Sequence, residues 1–156
     1  MSEKILIIDN VRSAYNVGSM FRTADGAGVS RIILVGYSPA PLDRFGRIQS
    51  EIAKTSLGAS AMIPWDSVAS GESTSARIAA LQQEGFTVVA VEQAPNALSL
   101  HEFSVPEKVA YIVGNEIDGV SSELLHVSDV TIHIPMRGQK ESLNVGVAAG
   151  IVLFHT

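Results

Sequence analysis

The sequence predicts an α/β domain built on an open, mostly parallel sheet with helices on both faces. Two observations carry this. Short apolar runs rich in β-branched residues recur at Ile5–Ile8, Ile32–Val35, Val88–Val91, Val109–Val113 and Val130–Ile134, as expected of strands buried on both sides. Between several of them lie segments with helical spacing, Asn16–Gly28, Thr74–Gln83, Ser121–Val127 and Ser142–Phe154, and such alternation builds a parallel sheet. A length of 156 residues suits one domain with one substantial core, so residues 1–156 are expected to form a single unit.

Taken in order, the N-terminus Met1–Ile8 reads as a first strand, because it lacks the long apolar core and small-residue cleavage site of a signal peptide. Asn16 and Ser121 are expected to cap helices, and Gly28 and Gly85 to end them. The connection from Gly36 to Ser60 is long and carries Pro39, Pro41, Gly46 and Gly58 with Arg44, Arg47 and Lys54. Two readings of it stand: a partly helical surface excursion, or a segment that contacts a substrate or partner. The last predicted helix is apolar on nearly every side, which implies burial in a core or an interface. Four loops, Asp9–Tyr15, Glu92–Asn96, Gly114–Gly119 and Pro135–Glu141, each follow a strand directly. In a parallel sheet they open on one crevice at the carboxyl ends of the strands.

Composition narrows the function. Hydrophobic residues make up 46% and charged residues 17%, with no apolar run long enough for a membrane span. There is no cysteine, which excludes disulfides, thiolate metal sites and cysteine nucleophiles together. His101, His126, His133 and His155 are dispersed, so no metal is expected. With no export signal, the cytoplasm is the expected compartment. A net charge of −5 argues against a nucleic-acid partner, yet residues 1–54 hold seven basic side chains against five acidic ones, so any basic patch is N-terminal.

Three clusters carry candidate chemistry. In Asn16-Val-Gly-Ser-Met-Phe-Arg22, spacing alone favours Asn16 as a helix cap and Arg22 as a solvated surface residue near Asp25 over a functional role. In Tyr111-Ile-Val-Gly-Asn-Glu-Ile-Asp-Gly119, a strand runs into a turn bearing Glu116 between two glycines, and Gly114 admits a close backbone approach. It does not supply the G-x-G-x-x-G of a dinucleotide-binding turn, which disfavours a dehydrogenase. In the third, Ile134 to Ile151, Ser142 is a helix cap candidate. Asn144 follows it in an apolar first turn, where an unpaired amide costs about 1–3 kcal/mol and so needs a partner.

Together the clusters resemble the SpoU (TrmH-like) branch of the SPOUT RNA methyltransferases. The first is similar to N-x-G-x-x-x-R, the second to G-x-E-x-x-G, and the third to I-P-M-x-G-x-x-x-S-L-N-V without a gap, all in family order. The resemblance implies a sheet whose C-terminal part is tied in a trefoil knot, a homodimer joined through the knot region, and methyl transfer from S-adenosylmethionine to a ribose 2′-hydroxyl of RNA. A tRNA is the first expectation and rRNA the alternative, with no separate RNA-binding domain in this chain. Carried over by position, Gly114, Ile134, Met136 and Leu143 would contact the cofactor. Arg22 would place the hydroxyl and a neighbouring phosphate, and Asn16, Glu116, Ser142 and Asn144 would organise that arginine and the nucleotide. Arg12, Arg44, Arg47 and Lys54 are the candidates for phosphate contacts. A non-catalytic knotted RNA-binding protein is the alternative from another class.

Overall fold

A computed structural model describes residues 1–156. Seven parallel strands form one sheet: β1 (Glu3–Asp9), β2 (Val29–Val35), β3 (Trp65–Val68), β4 (Thr87–Val91), β5 (Leu98–Ser99), β6 (Lys108–Val113) and β7 (Val130–His133). Their order across the sheet is β3-β2-β1-β6-β4-β7-β5. Five helices accompany them: α1 (Ala14–Gly26), α2 (Ser50–Ser56), α3 (Glu72–Gln83), α4 (Ser122–Val127) and α5 (Val145–Leu153). No helix is long and apolar enough to cross a membrane.

The central strands carry unbroken apolar runs because the sheet is covered twice, and the pleat sorts alternate side chains into two cores. Leu6 and Ile8 of β1 point to the larger core with Phe21 of α1, Ile52 of α2 and Ala149 of α5. Ile5 and Ile7 point the other way, to Ile78 and Leu81 of α3 and Leu124 of α4. Near 25 cal/mol per Å² of apolar surface removed from water, this two-sided burial is the main stabilising contribution.

Five strands and four helices fall where the periodicity places them, with shifts at the ends. Two strands were not expected. β3 is a half-buried edge strand carrying Asp66 and Ser67, and β5 has only two residues, so neither shows an apolar run. The long connection holds α2, a 3-10 turn at Ala59–Ala61 and an antiparallel bridge between Leu42 and Ile48.

Two expected caps are corrected, and a third holds by position only. Ser13, not Asn16, caps α1, its hydroxyl accepting from the Asn16 amide at 3.1 Å. Asn144, not Ser142, caps α5: its Oδ1 accepts from Gly146 N at 2.9 Å and Val147 N at 3.2 Å. Ser121 occupies the cap position of α4 but makes no side-chain cap bond. Instead its amide donates to Asp9 Oδ2 at 2.8 Å, tying α4 to the end of β1. Gly28 and Gly85 follow α1 and α3 with φ of 73° and 93°, the left-handed geometry that ends a helix.

The motif glycine Gly18 has a packing reason. A β-carbon there would overlap the Thr55 hydroxyl and come within 2.9 Å of the Ile52 carbonyl oxygen, so its absence lets α1 and α2 touch backbone to backbone.

Candidate active site

Because all strands run parallel, their carboxyl ends share one edge, and there a cleft of about 230 Å³ opens between the loops after β4, β6 and β7. Six of the singled-out residues line it: Gly114, Glu116, Ile134, Ser142, Leu143 and Asn144. Met136 lies half-buried outside the lining.

The floor of the cleft is the turn between Gly114 and Gly119. Asn115 and Gly119 exchange both backbone hydrogen bonds at 2.9 Å, folding the turn back so tightly that a β-carbon at Gly114 would overlap the backbone of Gly119 and Val120. Glu92, at the end of β4, locks it from the side: Oε2 accepts from Val120 N at 2.8 Å while Oε1 accepts from its neighbour Gln93 N. Asn115 locks it from within, its Oδ1 accepting from Ile117 N at 2.8 Å and Asp118 N at 3.0 Å.

Three distant motifs meet here. Glu116 accepts long hydrogen bonds from Arg12 N and Ser13 N, each at 3.4 Å, and from Asn16 Nδ2 at 3.5 Å. Asn16 Oδ1 in turn accepts from Asn144 Nδ2 at 3.3 Å. Glu116, Asn16 and Asn144 therefore form one hydrogen-bonded chain, with the Ser142 side chain exposed at its rim. The Asn144 amide, expected to need a partner, has both ends occupied: the oxygen by the start of α5, the nitrogen by Asn16.

Arg22 is not brought into this group. It stands six residues beyond Asn16, about 9 Å along the axis of α1, exposed and with no side-chain partner. Of the basic candidates, Arg12 lies over the Tyr37 ring at 5.5 Å from its centroid, and Arg44 and Arg47 lie 4.8 and 5.0 Å from the centroid of Phe45. The Tyr37 hydroxyl raises the Arg12 pKa above its ordinary value, so this guanidinium stays charged. Lys54 is exposed in the last turn of α2.

Sequence reasoning missed four residues of this edge. Glu92 was placed in a loop but given no task. Asn115 sits inside a recognised motif, and its capacity to fold a turn through its own side chain was the available signal. Tyr37 accepts from Asn115 Nδ2 at 2.9 Å, a contact across 78 positions that no local pattern announces. His133 lines the cleft with Nδ1 buried and without a hydrogen-bond partner.

Such a cleft at the carboxyl end of a parallel sheet, walled by three loops and edged by the Glu116–Asn16–Asn144 chain, is the place where open α/β folds bind small ligands. Residues 3–154 match the SpoU rRNA Methylase family, and the chain belongs to that family. It is similar to the 23S rRNA (guanosine-2'-O-)-methyltransferase RlmB of Neisseria meningitidis serogroup B, 30% identical over 152 residues, covering 97% of this chain and 57% of that one. Among solved structures it is similar to an AdoMet-bound rRNA methyltransferase from Sinorhizobium meliloti, with a TM-score of 0.84, 30% identity, and 98% of this chain and 55% of that one covered. A structure concerned with 2-OH methylation of C/U34 on tRNA matches with a TM-score of 0.77 and 26% identity, covering 98% and 93% of the two chains. The chain thus spans a little over half the length of these curated relatives.

Proposed function

We propose that this chain is an S-adenosylmethionine-dependent RNA methyltransferase acting on a ribose 2′-hydroxyl. The observation that carries the reading is the meeting of three motifs at one cleft, where Asn16 is hydrogen-bonded to the wall residues Glu116 and Asn144. The cleft fits the cofactor. Ile134, Leu143 and Ala148 offer apolar walls for a flat base, the folded-back turn at Gly114 exposes backbone, and His133 Nδ1 is a buried polar atom awaiting a partner. When bound, S-adenosylmethionine supplies a methyl group on a sulfonium, open to in-line displacement by an oxygen.

The protein's task would therefore be positioning, holding the hydroxyl oxygen in line with the methyl group. Gly114, Ile134, Met136 and Leu143 would hold the cofactor. Asn16, Glu116, Ser142 and Asn144 hold the nucleotide side, and Arg22 fixes the hydroxyl and an adjacent phosphate through its fork of donors. Because Arg22 lies outside the cleft of its own chain, the reading includes a homodimer in which a second copy completes the site. The exposed stripe Val147, Ile151 and Phe154 on α5 supports that, since an apolar helix face in water needs a cover. The loops after β4, β6 and β7 would form the trefoil knot of the family.

Arg12, Arg44, Arg47 and Lys54 supply phosphate contacts on the otherwise acidic chain. The cytoplasm is the proposed compartment, and residues 1–156 act as one methyltransferase unit. A tRNA is the first substrate reading, supported by the tRNA-linked neighbour that is covered almost throughout. The rRNA reading is favoured by the name of the meningococcal relative. Labelled S-adenosylmethionine incubated with total tRNA and, separately, with rRNA, followed by nucleoside mass spectrometry, tests both. A 2′-O-methylated nucleoside from one pool is expected. Cofactor binding without transfer to either pool would favour the non-catalytic knotted RNA-binding protein.

A further inference from the structure

We propose that the turn at residues 42–48 is a stacking platform for an unpaired nucleotide of the RNA, with Phe45 as the ring that meets the base. The proposal rests on the reading of the chain as an RNA methyltransferase and deepens it, because it names the form of RNA that the chain receives.

Phe45 is 67% exposed at the tip of the connection between β2 and α2. A phenyl ring in water contributes little to folding, yet the turn beneath it is built to hold it still. Asp43 Oδ1 accepts from Phe45 N at 2.8 Å and Arg47 N at 2.9 Å, and Oδ2 pairs with Arg47 Nε at 2.8 Å. Backbone bonds from Asp43 N to Arg47 O and from Gly46 N to Asp43 O, each 2.9 Å, close the same loop. The Leu42–Ile48 bridge ties its base. These bonds, that from the Arg47 amide first, keep the Asp43 carboxyl below the usual carboxylate range and therefore ionised. The backbone that carries the ring is thus held in place, and binding does not have to meet the entropy of ordering the turn.

Charge selects the occupant. Two guanidiniums stand within 5.0 Å of the Phe45 centroid. An aromatic face beside arginines is the pairing that stacks on bases and holds phosphates of single-stranded nucleic acid. The same connection carries Tyr37, which lies under Arg12 and is hydrogen-bonded to Asn115 in the cleft wall. A second aromatic–arginine pair, Tyr37 of the same connection with Arg12, therefore stands at the cleft wall. Stacking is sequence-tolerant, so the platform selects an unstacked nucleotide near the methylated one rather than a particular base.

The test uses the full chain and a single-stranded oligoribonucleotide containing 2-aminopurine, whose fluorescence is quenched on stacking. Phe45→Ala is expected to weaken binding roughly 5- to 100-fold and abolish the quenching, the range for loss of one stacked base. Phe45→Trp keeps both. Arg44→Gln, in contrast, lowers the slope of log Kd against log salt by about 0.7, the value for one single-strand phosphate. Wild-type affinity and quenching in Phe45→Ala would overturn the platform. So would a fall in particle mass by light scattering with RNA binding intact, which would assign the ring to a protein contact. Methyl transfer to total tRNA and rRNA is measured on the same preparations. Transfer by wild type with Phe45→Ala unchanged in binding refutes the platform alone, whereas a wild type with neither transfer nor RNA affinity refutes the methyltransferase reading and the platform with it.

Discussion

Asn144 Nδ2 donates to Asn16 Oδ1 at 3.3 Å, joining two helix starts that lie 128 residues apart in the chain. Asn16 passes the link to Glu116, so a change at any of the three is felt by the other two.

Asn16→Ala and Asn144→Ala are accordingly expected to couple. Each single change removes the shared hydrogen bond and costs about 1 kcal/mol of stability, Asn144→Ala somewhat more because it also uncaps α5. The double variant should lose less than the sum, a non-additivity of roughly 0.5 kcal/mol or more in chemical denaturation. Strict additivity would mean that the contact contributes nothing.

Arg22→Ala is expected to reduce methyl transfer roughly 100-fold or more, the scale for losing one preorganised donor at the reacting centre. Thermal stability and cofactor affinity by calorimetry should stay near wild type, since the side chain is exposed and has no partner in its own chain. Near-normal turnover by the pure variant would remove Arg22 from the proposed mechanism.

Gly114→Ala should close the cleft from below. Its methyl group would occupy the space of the Gly119 and Val120 backbone, so the turn must open, at about 1–3 kcal/mol. The readout is a cofactor affinity at least tenfold weaker with RNA binding retained. Unchanged affinity would show that the turn does not shape the cofactor site.

Tyr111 is fully buried in β6, its ring edge-on to Phe103 and its hydroxyl without a partner. Tyr111→Phe keeps the ring and removes the orphaned hydroxyl, so the variant should be about 1 kcal/mol more stable at neutral pH. Burial pushes the hydroxyl pKa up to about 12. An unfolded tyrosine ionises near 10, so above that pH the unfolded state releases a proton that the folded state retains, and stability falls until the folded pKa is passed. Between pH 10 and about 12 the wild type should therefore lose more stability than Tyr111→Phe. Parallel denaturation slopes for the two proteins over that range would contradict the assignment.

Ile151→Glu places a charge in the exposed stripe of α5. The proposed dimer should dissociate to monomer at micromolar concentration by light scattering, with circular dichroism unchanged and activity lost. A variant that remains dimeric would move the interface elsewhere.

The two-sided sheet was legible in residues such as Ile5–Ile8 and Val109–Val113, because strands covered twice leave no polar alternation to confuse the pattern. β3 was not, since Trp65-Asp66-Ser67-Val68 sits at the edge and can carry polar groups. The helix starts were legible only to within three residues: Ser13 and Asn144 took caps that local rules offered equally to Asn16 and Ser142. Family motifs marked Asn16, Glu116 and Asn144 as one site before any geometry did, and their contact is set by folding over more than a hundred residues. Glu92 and Tyr37 were silent because their work is done through partners 28 and 78 positions away.

The strand order has a consequence for the making of the protein. β1 lies between β2 and β6, with Glu3 opposite Lys108, so the middle of the sheet closes only after about a hundred further residues are available. Contacts of such long range make folding slow for a chain of this size. The active cleft waits longer still, because Asn16 finds Asn144 only when the last helix docks. A chain interrupted before that helix would hold all seven strands yet lack the wall of the cleft that Val145 and Ala148 supply, so binding of the proposed cofactor would itself report that folding has finished.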